Sequence, residues 1–155
     1  MKNSYKADCP FCNINTDKTE FAESEHFRAI YNIAPILPGH SLIIPKSHVT
    51  SLLDLDEADI SEMVSFSLQC VKMLQKAFNA TGFNWTIQEG EEAGQTVRHL
   101  HLHLIPRKRN DLPHPGDWYP KLLQSESELI DSEERHKLSE EQVSVVVTMI
   151  KKVAQ

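Results

Sequence analysis

Hydrophobic and polar residues alternate over two stretches of the chain, and a period of two marks strands with one buried face. In Phe83–Gln88 the apolar positions are Phe83, Trp85 and Ile87, with Asn84, Thr86 and Gln88 between them. In His99–Ile105, Leu100, Leu102 and Leu104 alternate with His99, His101 and His103. The intervening loop from Glu89 to Val97 contains Gly90 and Gly94 and is short enough to join the two as an antiparallel hairpin. With apolar face on apolar face, Asn84, Gln88 and the three histidines share one polar sheet surface. Phe27–Ile33 and Leu42–Pro45, rich in branched and aromatic residues and separated by Pro35, Pro38 and Gly39, predict two neighbouring strands.

A helical period begins after Asp56, a suitable N-cap, with apolar residues at Ile60, Met63, Val64, Val71, Leu74 and Phe78, and closes at Gly82. A second helix is predicted over residues 139–154, where Ser139 and Gln142 stand at capping-box spacing ahead of Val143, Val146, Val147 and Ile150. Between them, residues 110–138 carry Pro113, Pro115 and Pro120 and then an acidic stretch through Glu134, which predicts a mobile arm over the sheet edge. Cys70 falls among apolar helix positions and reads as core, Trp85 as a core or dimer-contact residue, and His26, His114 and His136 as surface residues.

At 155 residues the chain fits one domain, residues 1–155, with 40% apolar and 25% charged residues. Its formal charge of −6 argues against nucleic acid as a partner, because neutralising a phosphate backbone needs a basic face. Any phosphate site must therefore be local, and Arg98, Arg107, Lys108 and Arg109 beside the histidines can supply charge or simply cap a solvated strand end. No apolar run approaches the roughly 20 residues needed to cross a bilayer. The opening residues lack the apolar segment of a signal peptide, so the expectation is a cytoplasmic protein without a membrane partner. Three cysteines, two of them spaced Cys9-Pro10-Phe11-Cys12, make a disulfide framework a poor fit and leave a metal or redox role open.

Three imidazoles at alternate strand positions stand about 6.5 to 7 Å apart along one face. Two chemistries can use such a row. Imidazoles at i and i+2 can share a zinc ion. Alternatively one neutral ring acts as a nucleophile, its second nitrogen held by a hydrogen bond, while a flanking histidine donates to a phosphate. The central place favours His101 for that role, with groups on both sides to hold the phosphate against it.

The run His99-Leu100-His101-Leu102-His103-Leu104-Ile105 resembles the signature of the histidine-triad superfamily. The wider block from Ile87 through Arg98 into Pro106-Arg107-Lys108 is similar to the fragile-histidine branch, the diadenosine tri- and tetraphosphate hydrolases. The resemblance covers roughly residues 20 to 125. It implies an α+β fold with an antiparallel five-stranded sheet, a long helix and a C-terminal helix, assembled as a homodimer. It also implies that His101 forms a nucleotidyl-histidine intermediate, that His103 contacts the α-phosphate, and that His40 supports the site from the neighbouring strand. By the same resemblance Asn32 contacts a ribose, and Gln88, Gly94, Gln95, Thr96 and Val97 wall the phosphates and leaving group. The resemblance further implies a divalent metal such as Mg2+ or Mn2+ travelling with the nucleotide substrate.

The Cys9-Pro10-Phe11-Cys12 pair departs from that branch and is similar to the pair in many smaller histidine-triad proteins, where it often holds a structural zinc. The matching positions here are Cys9, Cys12, His48 and His99, which would make residues 1–19 a zinc-binding segment. Two thiolates and two imidazoles suit tetrahedral Zn2+. A redox pair would want a following helix, and Asn13 to Thr19 gives no clear helical pattern. The sequence therefore predicts a dinucleoside polyphosphate hydrolase. Its rivals are a nucleoside phosphoramidate hydrolase, a slowly turning over nucleotide-binding signalling module, and a catalytic zinc at His101 and His103.

Overall fold

The computed structural model describes residues 4–127 and 137–153. A single helical turn, α1 (Thr16–Thr19), leads into β1 (Glu20–Glu23), which pairs antiparallel with β2 (Phe27–Tyr31). Next comes β3 (Ser41–Pro45), then the long α2 (Glu57–Phe78), the edge strand β4 (Gly82–Thr86) and β5 (Leu102–Arg107). Helices α3 (Trp118–Ser127) and α4 (Glu140–Val153) complete the chain. The sheet has five strands in the order β1-β2-β3-β5-β4, all neighbours antiparallel, so the expected α+β architecture is the one observed.

One face of the sheet carries the main core. Leu100, Leu102 and Leu104 pack there with Met63, Phe66, Cys70 and Leu74 of α2 and with Val143, Val147 and Ile150 of α4. The other face carries a small cluster of Ile30, Leu42 and Ile44, against which Phe11 and Ile14 pack. Leu42 is the register partner of His103, so the histidines lie on this second face, away from the helices. Across the hairpin, Trp85 pairs with Leu104, Asn84 with Ile105 and Thr86 with His103, which places Asn84 on the histidine side as expected.

Helix α2 starts where the sequence puts it, with the Asp56 carboxylate accepting from the Asp59 N–H at 2.8 Å. It ends earlier than expected: Asn79 takes a left-handed conformation at φ 50°, and Gly82 opens β4 instead. The buried row also differs. Met63, Phe66, Cys70 and Leu74 face the core, whereas Ile60 and Val64 join Leu68 in a second row that is 39 to 51% exposed. Trp85 is likewise 40% exposed and is not a core residue. Cys70 is fully buried, and burial pushes its thiol up to about 12.

Three further expectations change. The short β1 carries no alternation long enough to announce itself in the sequence. Trp118–Ser127, within the expected arm, is helical, and its Leu122 is fully buried. His136 and the acidic stretch at 128–136 lie outside the described residues. Finally, β5 begins at Leu102 and not at His99. The register would set Leu100 opposite Pro45, whose carbonyl is taken by the His99 ring at 3.0 Å and which has no N–H for the Leu100 carbonyl, and the Leu100 N–H donates to the Val49 carbonyl at 2.6 Å.

Candidate functional site

His40 enters from the residue before β3. Gly39 makes that entry possible: its φ is +92°, and a Cβ there would lie 2.6 Å from Pro106 and 2.8 Å from Phe78. The Gly39 N–H donates to the Tyr31 hydroxyl at 3.3 Å. His40 is fully buried, and its Nε2 lies 2.9 Å from Nδ1 of His103. The Ile36 N–H points to Nδ1 of His40 at 3.3 Å, which assigns that nitrogen as an acceptor. Nε2 of His40 then carries hydrogen and donates to Nδ1 of His103, so the hydrogen of the His103 ring sits on Nε2.

His101 is held differently. Its Nδ1–H donates to the His99 carbonyl at 2.7 Å, leaving the lone pair on Nε2. Burial, and then the neighbouring His103, hold its pKa down to about 4, so the ring is neutral at physiological pH. The His101 and His103 rings stand 4.9 Å apart at 67°. A neutral imidazole with an oriented lone pair beside an N–H donor can attack an electrophile while the neighbour holds an anionic oxygen.

His99 turns the other way. Its Nε2–H donates to the Pro45 carbonyl at 3.0 Å, so Nδ1 presents its lone pair to Cys9 Sγ at 3.4 Å and Cys12 Sγ at 3.7 Å. Burial lowers the pKa of this ring to about 4 as well. His48 Nδ1 lies 3.4 Å from Cys12 Sγ. All four donor atoms fall within 4.8 Å of one another. Zn–S and Zn–N bond lengths imply donor separations of about 3.3 to 3.8 Å around a tetrahedral ion, so the set fits zinc. Burial raises the Cys12 thiol. The knuckle is braced from within: Asn13 Nδ2 donates to the Ala7 and Cys9 carbonyls at 2.8 and 2.9 Å. Ser4 pairs with His48 through the His48 N–H at 2.8 Å.

Other sequence-selected residues surround this pair of sites. The Asn32 N–H donates to the His40 carbonyl at 3.0 Å, and its amide nitrogen stands 3.5 Å from the His40 ring. Gln88 is buried; its Nε2 donates to Thr86 at 2.9 Å, while its Oε1 has no hydrogen-bond partner among the described residues. Gly94 turns the loop at φ 90°, and Thr96 is exposed beyond it with Val97 half-buried. Gln95 holds the loop itself, accepting from the Gly90 N–H at 3.0 Å and donating to the Thr50 carbonyl at 3.3 Å. Arg107 is likewise engaged: its guanidinium grips both oxygens of Asp111 at 2.8 and 2.9 Å and Asn84 at 2.6 Å. That pairing, above all the Arg107 hydrogen bond, drops the Asp111 carboxyl to about 2. His26 is half-buried and not a plain surface residue, since Glu62 takes its Nδ1 at 2.8 Å and its backbone N–H at 2.8 Å. The sequence carried no motif for Asn13 and Asp111, which bond to partners within six residues along the chain, nor for Phe11, whose ring partners come from the tertiary fold.

The HIT domain matches residues 13–110. A bis(5'-nucleosyl)-tetraphosphatase (asymmetrical) from Schizosaccharomyces pombe is 39% identical over 101 residues, covering 65% of this chain and 56% of that protein. The chain thus spans little more than half the length of this relative. A bis(5'-adenosyl)-triphosphatase from Dictyostelium discoideum is 35% identical over 121 residues, covering 78% of this chain and 80% of the other. Among solved structures, the Plasmodium falciparum diadenosine triphosphate hydrolase in complex with cyclomarin A superposes with a TM-score of 0.70 at 29% identity, covering 90% of this chain and 77% of that one.

Proposed function

Because this chain belongs to the histidine-triad family, the HIT domain proteins, we propose that it hydrolyses dinucleoside polyphosphates, adenine dinucleotides first among them. His101 is the attacking group. The observation that carries this reading is the His101 Nδ1–H bond to the His99 carbonyl, which leaves Nε2 with a lone pair on the histidine face. Nε2 forms a P–N bond to the α-phosphorus as the bridging P–O bond breaks, and a nucleoside di- or triphosphate departs. Water then cleaves the P–N bond, releasing a nucleoside monophosphate and restoring the neutral ring. Diadenosine triphosphate would give AMP and ADP, and the tetraphosphate AMP and ATP.

His103, its Nε2–H assigned through His40, donates to the phosphate through both steps. Asn32 lies at the edge of this arrangement as a ribose contact, and Gln88, with its unmatched Oε1, at the phosphate wall with Gly94, Thr96 and Val97. Gln95 serves by fixing that wall. A divalent metal such as Mg2+ or Mn2+ bound to the substrate would supply neutralisation of charge on the polyphosphate. Acid-quenched mass spectrometry during turnover of diadenosine tri- or tetraphosphate tests the reading. A nucleotidyl adduct on the peptide containing His101 is the expected result, and steady turnover with no adduct would overturn it.

The Cys9, Cys12, His48 and His99 set would hold a structural Zn2+ that pins residues 4–14 to the sheet. That same cluster favours a second reading, a nucleoside phosphoramidate hydrolase, and relative kcat/KM for diadenosine triphosphate and an adenosine phosphoramidate decides between them. Free thiols at Cys9 and Cys12 suit a cytoplasmic location; among the described residues no helix is long and apolar enough to cross a membrane. The unpaired outer edge of β4, exposed Trp85 and the Ile60-Val64-Leu68 row supply an apolar surface for a homodimer. Sedimentation of a monomer at micromolar concentration would remove that assignment.

A further inference from the structure

One neighbour of the His101 ring has no role in the scheme above. Phe11 projects from the middle of the Cys9–Cys12 knuckle onto the histidine face, where its ring meets His101 edge-on at a centroid distance of 5.3 Å and an interplanar angle of 69°. The same ring meets His99 at 5.8 Å and 86°. Phe11 is anchored independently of any metal, because it packs with Ile14 on Ile30, Leu42 and Ile44. His101 also meets His103 at 4.9 Å, and the residue is 3% exposed.

This placement matters because a single hydrogen bond does not fix an imidazole. The torsion between Cβ and the ring is broad in histidine, so one hydrogen bond at Nδ1 leaves the ring free to rock about that axis and change the direction of the Nε2 lone pair. Two rings packed edge-on against it restrict that freedom, and in-line attack on phosphorus is sensitive to displacements of about 1 Å, which can change a rate by about 10²-fold. Phe11 also joins residues 99 and 101 across one contact, so the ring that abuts the nucleophile abuts the residue whose carbonyl sets its tautomer.

We propose that Phe11 is a positioning residue for His101, holding the imidazole between itself and His103 so that Nε2 points at the reacting phosphorus. The proposal rests on the reading of His101 as the attacking group. It predicts a defect in the chemical step and not in substrate binding, since Phe11 acts through His101 alone.

The test compares wild type, Phe11→Leu, Phe11→Tyr and His101→Ala on diadenosine triphosphate, with zinc content and melting temperature measured for each. Phe11→Leu keeps apolar bulk and removes the flat edge; kcat falls about tenfold while KM stays within twofold. Phe11→Tyr, which restores the ring, recovers at least half of the wild-type kcat. Phe11 supplies no ligand atom, so zinc content matches that of wild type in both variants. Long-range 1H–15N spectra of the His101 ring provide a readout independent of turnover: one tautomer in wild type and Phe11→Tyr, and an exchange-broadened ring in Phe11→Leu. If Phe11→Leu does not fold, Phe11→Met carries the same expectation. A kcat within twofold of wild type in Phe11→Leu, with His101→Ala inactive, overturns the Phe11 assignment and leaves the nucleophile standing. Full activity in His101→Ala overturns both. Absence of zinc from the wild type removes the metal reading only, and the kcat comparison proceeds unchanged.

Discussion

His99 and His101 stand two residues apart on one face, are equally buried, and are both held near a pKa of 4, yet they offer opposite nitrogens to their surroundings. His99 gives its Nε2–H to the Pro45 carbonyl and turns Nδ1 to the thiols. His101 gives its Nδ1–H to the His99 carbonyl and keeps Nε2 open. The difference is made by which backbone oxygen each ring can reach. Residue type and burial alone do not separate a metal ligand from a nucleophile; the second-nitrogen partner does.

The widest break between the two rings comes from deleting them in turn. His101→Ala should lower kcat by about 10⁴-fold or more, as loss of a covalent nucleophile does, while zinc content and melting temperature stay near wild type. Steady-state kinetics with metal analysis checks both halves. The converse change at the other site, His48→Ala, should lower zinc content, if the proposed set holds zinc, and leave His101 and His103 in place. A loss of roughly 3 kcal/mol would appear as a fall in Tm of about 6 to 12 °C for a chain of this size, read by calorimetry with and without a chelator. If His48→Ala silenced catalysis as fully as His101→Ala, the two sites would not be separable as described.

The smallest effect sharpens the comparison from outside. Asp111 has its folded pKa drawn down to about 2, below its ordinary value of 3.8, so its pairing with Arg107 contributes stability that is complete above pH 4 and fades as pH falls toward 2. Asp111→Asn should therefore lower Tm by a constant few degrees at neutral pH, with the gap closing below pH 4. A gap that widened in acid would contradict the sign.

The sequence patterns that proved legible are those set by neighbours along the chain. Asp56 caps α2 because its carboxylate reaches an N–H three residues on, and Ser139 and Gln142 cap α4 reciprocally at 3.2 and 2.8 Å. From Leu102 onward the alternation reads correctly because a pleated strand leaves no other choice of face. What the pattern could not settle was decided across the fold. Ile60 and Val64 obey the helical period as well as Met63 does, and only the position of the sheet selects between adjacent rows. Arg107 looks like a free phosphate ligand until Asp111 and Asn84 close on it. The late start of β5 goes with contacts from elsewhere in the fold, the His99 ring on the Pro45 carbonyl and the Leu100 N–H on Val49, and Phe11 reaches His101 only because the knuckle folds over the sheet.

The sealed position of Cys70 has a practical consequence. With no exposure and a thiol held near 12, it cannot react with an alkylating reagent while the core is intact. Its modification, followed by mass, would count the moments when α2 and the sheet come apart, giving the chain a native clock for global opening that requires no introduced label.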